Sequence, residues 1–83
     1  IKLDKTGGLT GALELADAAA KVGMQIMVGC MVGTSLAMAP AMIVAADARI
    51  VDLDGPLWMA KDRENGLAFD KGVMGLPDRA LWG

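Results

Sequence analysis

Val51-Asp52-Leu53-Asp54-Gly55-Pro56 is the stretch that decides how the rest of the chain reads. Alternation along a strand puts Val51 and Leu53 on one face and sets Asp52 and Asp54 side by side on the other. Two like charges at that spacing repel, and burial only raises the cost. Such a pair is tolerated where the face is wet or where a cation stands in front of it. Gly55-Pro56 stops the strand at once. The carboxylates therefore sit at the carboxyl end of a strand, where parallel α/β sheets and barrels keep their ligand sites. A solvated strand end leading into a polar turn is the plainer reading of the same residues, and the other segments must separate the two.

Upstream of this strand, which starts near Arg49, a helix is expected from about Leu36 to Ala46. Thr34 or Ser35 would cap it, and Pro40 would mark an early turn or a kink. Gly29-Cys30-Met31-Val32-Gly33 reads as the loop after a short buried strand, Met24 to Val28. A first helix is expected from about Gly11 to Val22, with Thr10 as N-cap and Gly23 as its end. Leu13, Ala16 and Ala20 share one stripe of it. Asp4-Lys5-Thr6-Gly7-Gly8 reads as a loop, preceded by a strand end, Ile1 to Leu3, with Lys2 on the face opposite its two apolar neighbours. The order strand, helix, strand, helix, strand, with short connections, is that of a parallel sheet built by right-handed crossovers. Beyond Pro56 the pattern weakens. Leu57-Trp58-Met59-Ala60 is apolar and Lys61 to Asn65 polar, and Leu67-Ala68-Phe69 and Val73-Met74 flank Asp70-Lys71-Gly72 as a small hairpin. The chain divides into a βαβαβ segment, 1–56, and a tail, 57–83.

Composition removes several function classes. The 83 residues carry a net charge of −2 with acids and bases mixed, so no basic patch calls for nucleic acid and no polybasic run for a membrane surface. With no His, the commonest general base and metal ligand is absent. The lone Cys30 excludes an internal disulfide and a Cys-based zinc cluster, and a cytoplasmic setting fits it. Met24 to Ala46 is free of charge and contains Gly29 and Gly33 at GxxxG spacing, as in a membrane helix. Gln25, Thr34, Ser35 and Pro40 within the run, and the missing aromatic or basic belt, argue against that reading. The opening on Ile1, without Met or leader pattern, reads as a piece of a longer chain or a processed product.

Three segments, Ile1-Lys2-Leu3-Asp4-Lys5-Thr6-Gly7-Gly8-Leu9-Thr10, Met27-Val28-Gly29-Cys30-Met31 and Asp52-Leu53-Asp54-Gly55-Pro56, occur in this order and spacing. Together they resemble the enolase superfamily in its muconate-lactonizing branch, and within it the dipeptide epimerases. The resemblance covers nearly the whole chain, and Asp-x-Asp-Gly-Pro is its more specific element. It implies an α/β fold, a partial (β/α) barrel comprising strands six to eight of an enolase-type (β/α)₇β barrel with a C-terminal hairpin and tail. It also implies that Lys2 is one of two acid/base lysines flanking the substrate α-carbon. Asp52 and Asp54 would hold the α-ammonium of a dipeptide such as L-Ala-L-Glu, while Cys30 and Met31 would line the pocket. Mg²⁺ belongs to the full-length family, but its ligands and the second lysine lie upstream of these residues, and no residue here matches a metal ligand. A whole barrel takes about 200 residues or more.

The chemistry agrees with those implied roles. Removing a proton beside a carbonyl makes an unstable carbanion, which a divalent ion stabilises as an enolate while a positioned base takes the proton. A lysine can be that base where cations or desolvation favour its neutral form. Epimerisation needs one such group on each face. A substrate ammonium between Asp52 and Asp54 would also relieve their repulsion. Lys5 is the obvious rival to Lys2, but its place in the loop makes it a solvated charge. The fragment alone is expected to be inactive, its partner being the missing N-terminal part of the barrel. The alternative is a non-catalytic α/β module that covers its apolar flanks by associating with another copy of itself.

Overall fold

A computed structural model describes residues 1–83. Parallel pairing organises its first two thirds. Strand β1 (Met27–Val28) pairs in parallel with β2 (Ile50–Val51), Met27 opposite Ile50 and Val28 opposite Val51. The pairing runs one residue further, since the Asp52 N–H donates to the Val28 carbonyl at 2.8 Å. On the other side of β1, the Ile1 nitrogen donates to the Met27 carbonyl (2.6 Å), and the Ile1 carbonyl accepts from the Gly29 N–H (2.9 Å). One residue bonded to positions 27 and 29 in this sense is the signature of a parallel neighbour. Three parallel segments therefore lie side by side in chain order, with β1 in the middle.

The strand end expected over Ile1 to Leu3 is shorter than that. Lys2 is extended, but Leu3 already begins a one-turn helix, α1 (Leu3–Thr6), because the Lys2 carbonyl accepts from the N–H groups of Lys5 and Thr6. The segment expected to be a loop is thus partly helical. Helix α2 (Leu9–Lys21) follows, with Gly8 rather than Thr10 at its N-cap, since the Gly8 carbonyl accepts from the Ala12 N–H. At its other end Gly23 N–H bonds to Ala20 and Met24 N–H to Ala19, a Schellman closure at the expected glycine. Of the stripe Leu13, Ala16 and Ala20, Ala16 alone packs against the core, and it is only partly buried. Ala12 is the buried residue of α2, while the stripe lines a cavity of about 640 Å³ with Met24, Ile26 and Ala48, at the amino ends of the strands.

Helix α3 (Ser35–Ala45) contains Pro40 within its span and buries Met38, Ala39, Ala41 and Val44. Thr34 occupies its N-cap position but supplies no side-chain bond. The core is a cluster of Ala12, Val28, Met38, Ala41, Val44, Leu53 and Leu67. Leu53 is buried as alternation demands, yet Val51 on the same face is 46% exposed, because β2 has no neighbour beyond it. In the tail, β3 (Phe69–Asp70) pairs antiparallel with β4 (Val73–Met74) around Lys71-Gly72, the expected hairpin. No helix is long and apolar enough to cross a membrane, so the uncharged run Met24 to Ala46 is split between strand, loop and α3.

Candidate functional site

Because the three strand segments are parallel and in register, their carboxyl ends lie together. Lys2, the loop Gly29–Gly33 and the turn Asp52–Gly55 all leave the sheet on that side. Lys2 is half-buried and lies over the backbone of Gly29: a Cβ at Gly29 would stand 3.4 Å from Lys2 Cε. Its ammonium reaches Met31 Sδ at 3.9 Å. Lys5 is exposed, in keeping with its reading as a solvated charge.

Gly55 fixes how closely the second and third segments approach. A Cβ there would fall 2.8 Å from the Met31 carbonyl oxygen and 3.1 Å from the Gly33 nitrogen, so only glycine lets the two backbones meet. Cys30 lies at this junction. Burial pushes its thiol up from the usual value, opposed by the Gly55 backbone N–H. The carboxylates of Asp52, Asp54 and Asp4 push it further up. The thiol is therefore held in its protonated, less nucleophilic form. Asp4 adds a third negative charge to its surroundings.

Asp52 and Asp54 are both exposed, as alternation opposite Leu53 requires. They differ in their partners. Asp52 accepts no hydrogen bond from the protein. Asp54 Oδ2 accepts one from the indole Nε1–H of Trp58 at 3.1 Å. A cleft of about 440 Å³ runs beside them, bounded by Leu57, Phe69, Val73 and Met74. It is smaller than the cavity at the amino ends, but it is the one that adjoins the carboxylates. The two aspartates have no third carboxylate, Cys or His grouped with them for metal binding, so the residues of this chain do not fit a magnesium site.

One cluster escaped the sequence reading. Ser35, fully buried at the start of α3, donates its N–H to Asp62 Oδ1 at 2.8 Å and its hydroxyl to Asp62 Oδ2. The Ser35 hydroxyl oxygen accepts in turn from the Leu67 N–H at 2.9 Å. Asp62 thus caps α3 from the tail, in place of Thr34. Desolvation pushes the Asp62 carboxyl up, but the Ser35 hydroxyl and N–H, the Arg63 N–H and the Arg63 charge outweigh it and hold the carboxyl below its usual range. Gly66 leaves room for this carboxylate: a Cβ there would stand 2.5 Å from Asp62 Oδ2.

No family model matches the chain. It is similar to an N-acetyl-D-glutamate racemase of Pseudoalteromonas sp, 58% identical over the whole chain and 26% of the relative. It is also similar to the L-Ala-D/L-Glu epimerase of Escherichia coli K12, 49% identical over 92% of the chain and 24% of that enzyme. Among solved structures, an enolase family member from Agrobacterium tumefaciens with homology to dipeptide epimerases, holding sodium and L-Ala-L-Glu, superposes with a TM-score of 0.96. It is 53% identical and is matched over all of this chain and 26% of its own. A dipeptide epimerase from Methylococcus capsulatus complexed with Mg superposes at 0.77, with 33% identity over 94% of this chain and 24% of its own. The chain spans about a quarter of the length of the relatives it matches. By these likenesses, joined to the Asp-x-Asp-Gly-Pro strand end and its parallel neighbours, the chain is similar to a quarter-length segment of the enolase-family racemases and dipeptide epimerases.

Proposed function

We propose that the chain is the C-terminal portion of a Mg²⁺-dependent dipeptide epimerase, carrying strands six, seven and eight of its barrel in residues 1–56 and its tail in 57–83. The observation that supports this most is the gathering of Lys2, the Cys30-Met31 loop and the Asp52/Asp54 pair at the carboxyl ends of three parallel segments. In this reading Lys2 takes and returns the α-proton on one face of the substrate. Asp52 and Asp54 bind the α-ammonium of a dipeptide such as L-Ala-L-Glu, and Cys30 and Met31 line the pocket. The second lysine and the metal ligands belong to the part of the enzyme outside these residues, and the enzyme is cytoplasmic. The open outer edges of β2 and of the Ile1–Lys2 segment support the same reading, since strands five and one of a barrel would pair there.

The test is α-proton exchange in D₂O. A longer protein that contains this segment is expected to put deuterium into a dipeptide in the presence of Mg²⁺, with a loss of about 10²- to 10⁴-fold in Lys2→Ala. The 83-residue chain alone is expected to give none. Exchange by the chain alone, lost in Lys2→Ala, would overturn this reading.

The exposed apolar residues favour a second one for the isolated chain. Val22, Met24, Ile50 and Val51 stand open to solvent along the outer surfaces of the sheet and α2. A self-associating, non-catalytic module would cover them against another copy. A dilute chain that sediments as a monomer would contradict that alternative.

A further inference from the structure

Asp52 and Asp54 are equivalent by alternation but not by environment, and the difference lies in Trp58. The turn Gly55–Trp58 is a short 3₁₀ helix that starts from Asp54, whose carbonyl accepts from the Leu57 N–H at 2.9 Å. That turn carries residue 58 back over residue 54. The Trp58 ring is 73% exposed, so burial does not account for its position. Its single polar atom is engaged by Asp54 Oδ2. An indole N–H is a neutral donor: it orients a carboxylate without cancelling its charge, as a Lys or Arg partner would. The one ion pair of the chain, Lys21 with Asp17, lies on α2, so no cation of this chain neutralises either aspartate.

We infer that Trp58 is a positioning residue for Asp54, holding Oδ2 so that the charged carboxylate presents Oδ1 to a substrate ammonium, while Asp52 keeps both oxygens free. This rests on the dipeptide reading above. Trp58 itself touches no reacting atom. It sets recognition of a free α-amino group, not proton transfer.

The experiment uses the longer enzyme containing this segment and compares Trp58→Phe with Trp58→Gln. Phe keeps a ring and loses the donor. Gln loses the ring and keeps an N–H three bonds from Cβ, as the indole nitrogen is. Trp58→Phe is expected to raise KM for a dipeptide about fivefold, with kcat within twofold, the scale of one hydrogen bond expressed in binding. Trp58→Gln is expected to recover most of that KM. An unchanged KM in Trp58→Phe, a parallel fall of kcat, or a Gln variant no better than Phe overturns the inference and leaves the dipeptide reading standing. Absence of dipeptide epimerisation by the unsubstituted enzyme overturns both.

Discussion

Asp62 and the Asp52/Asp54 pair are the same chemical group in opposite situations. Asp62 is surrounded by donors of its own chain: the Ser35 hydroxyl and N–H and the Arg63 N–H. Its work is internal, tying the tail to the first turn of α3. Asp52 has no protein donor and Asp54 has one. A carboxylate already saturated by its fold is a fastener. A pair left unsaturated at the carboxyl ends of parallel strands is suited to receive a cation from outside. The contrast shows how differently one chain treats the same group, saturating it in one place and leaving it to solvent in another.

Removing the fastener should cost the most stability. Asp62→Ala leaves the first turn of α3 uncapped and a buried Ser35 hydroxyl without its acceptor, and is expected to cost about 2–3 kcal/mol in urea or thermal unfolding. A loss below half a kcal/mol would erase the distinction between the two regions.

Acid should act on the same contact. The folded Asp62 carboxyl titrates below its unfolded value, so its contribution is complete above the ordinary carboxylate pKa of about 3.9 and fades as the pH falls through the lower folded value. Loss of Leu67 amide protection is therefore expected below about pH 4, and is expected to be absent from the acid titration of Asp62→Asn. A Leu67 amide equally protected at pH 3 and pH 7 would contradict this.

The smallest effect concerns Cys30. Burial and the carboxylates around it keep its thiol protonated. Alkylation by iodoacetamide at pH 8 is expected to be slower than for a free thiol, and a few-fold faster in Asp52→Asn, because removing a negative charge lowers the thiol pKa. An unchanged or slower rate would mean that the carboxylates do not act on this junction.

The fold was legible in the sequence where spacing is local. Alternation set Leu53 against Asp52 and Asp54, Gly23 ended α2, and Asp70-Lys71-Gly72 marked the hairpin, whereas Gly55-Pro56, expected to stop the strand, opens a 3₁₀ turn after β2 has already ended at Val51. Boundaries failed where backbone bonds outvoted propensity: Leu3 turned helical on the Lys2 carbonyl, and α2 began after Gly8 although Thr10 is the better capping residue. The Asp62–Ser35 clasp was illegible, because the partners stand 27 positions apart and each, taken alone, is an ordinary polar residue in a loop or at a helix start. The Trp58 contact was hidden for a different reason. An apolar run after Pro56 gives no sign that a turn will fold its indole back onto the strand end.

The most direct test of the contrast is the double substitution Asp52→Asn with Asp54→Asn in the longer enzyme, read by dipeptide affinity and by thermal unfolding together. Affinity is expected to fall about 100-fold, as for a charge partner removed from a bound ammonium, while Tm stays level or rises as the repulsion is relieved. A lowered Tm with dipeptide affinity intact would make Asp52 and Asp54 fasteners like Asp62, and would contradict the account.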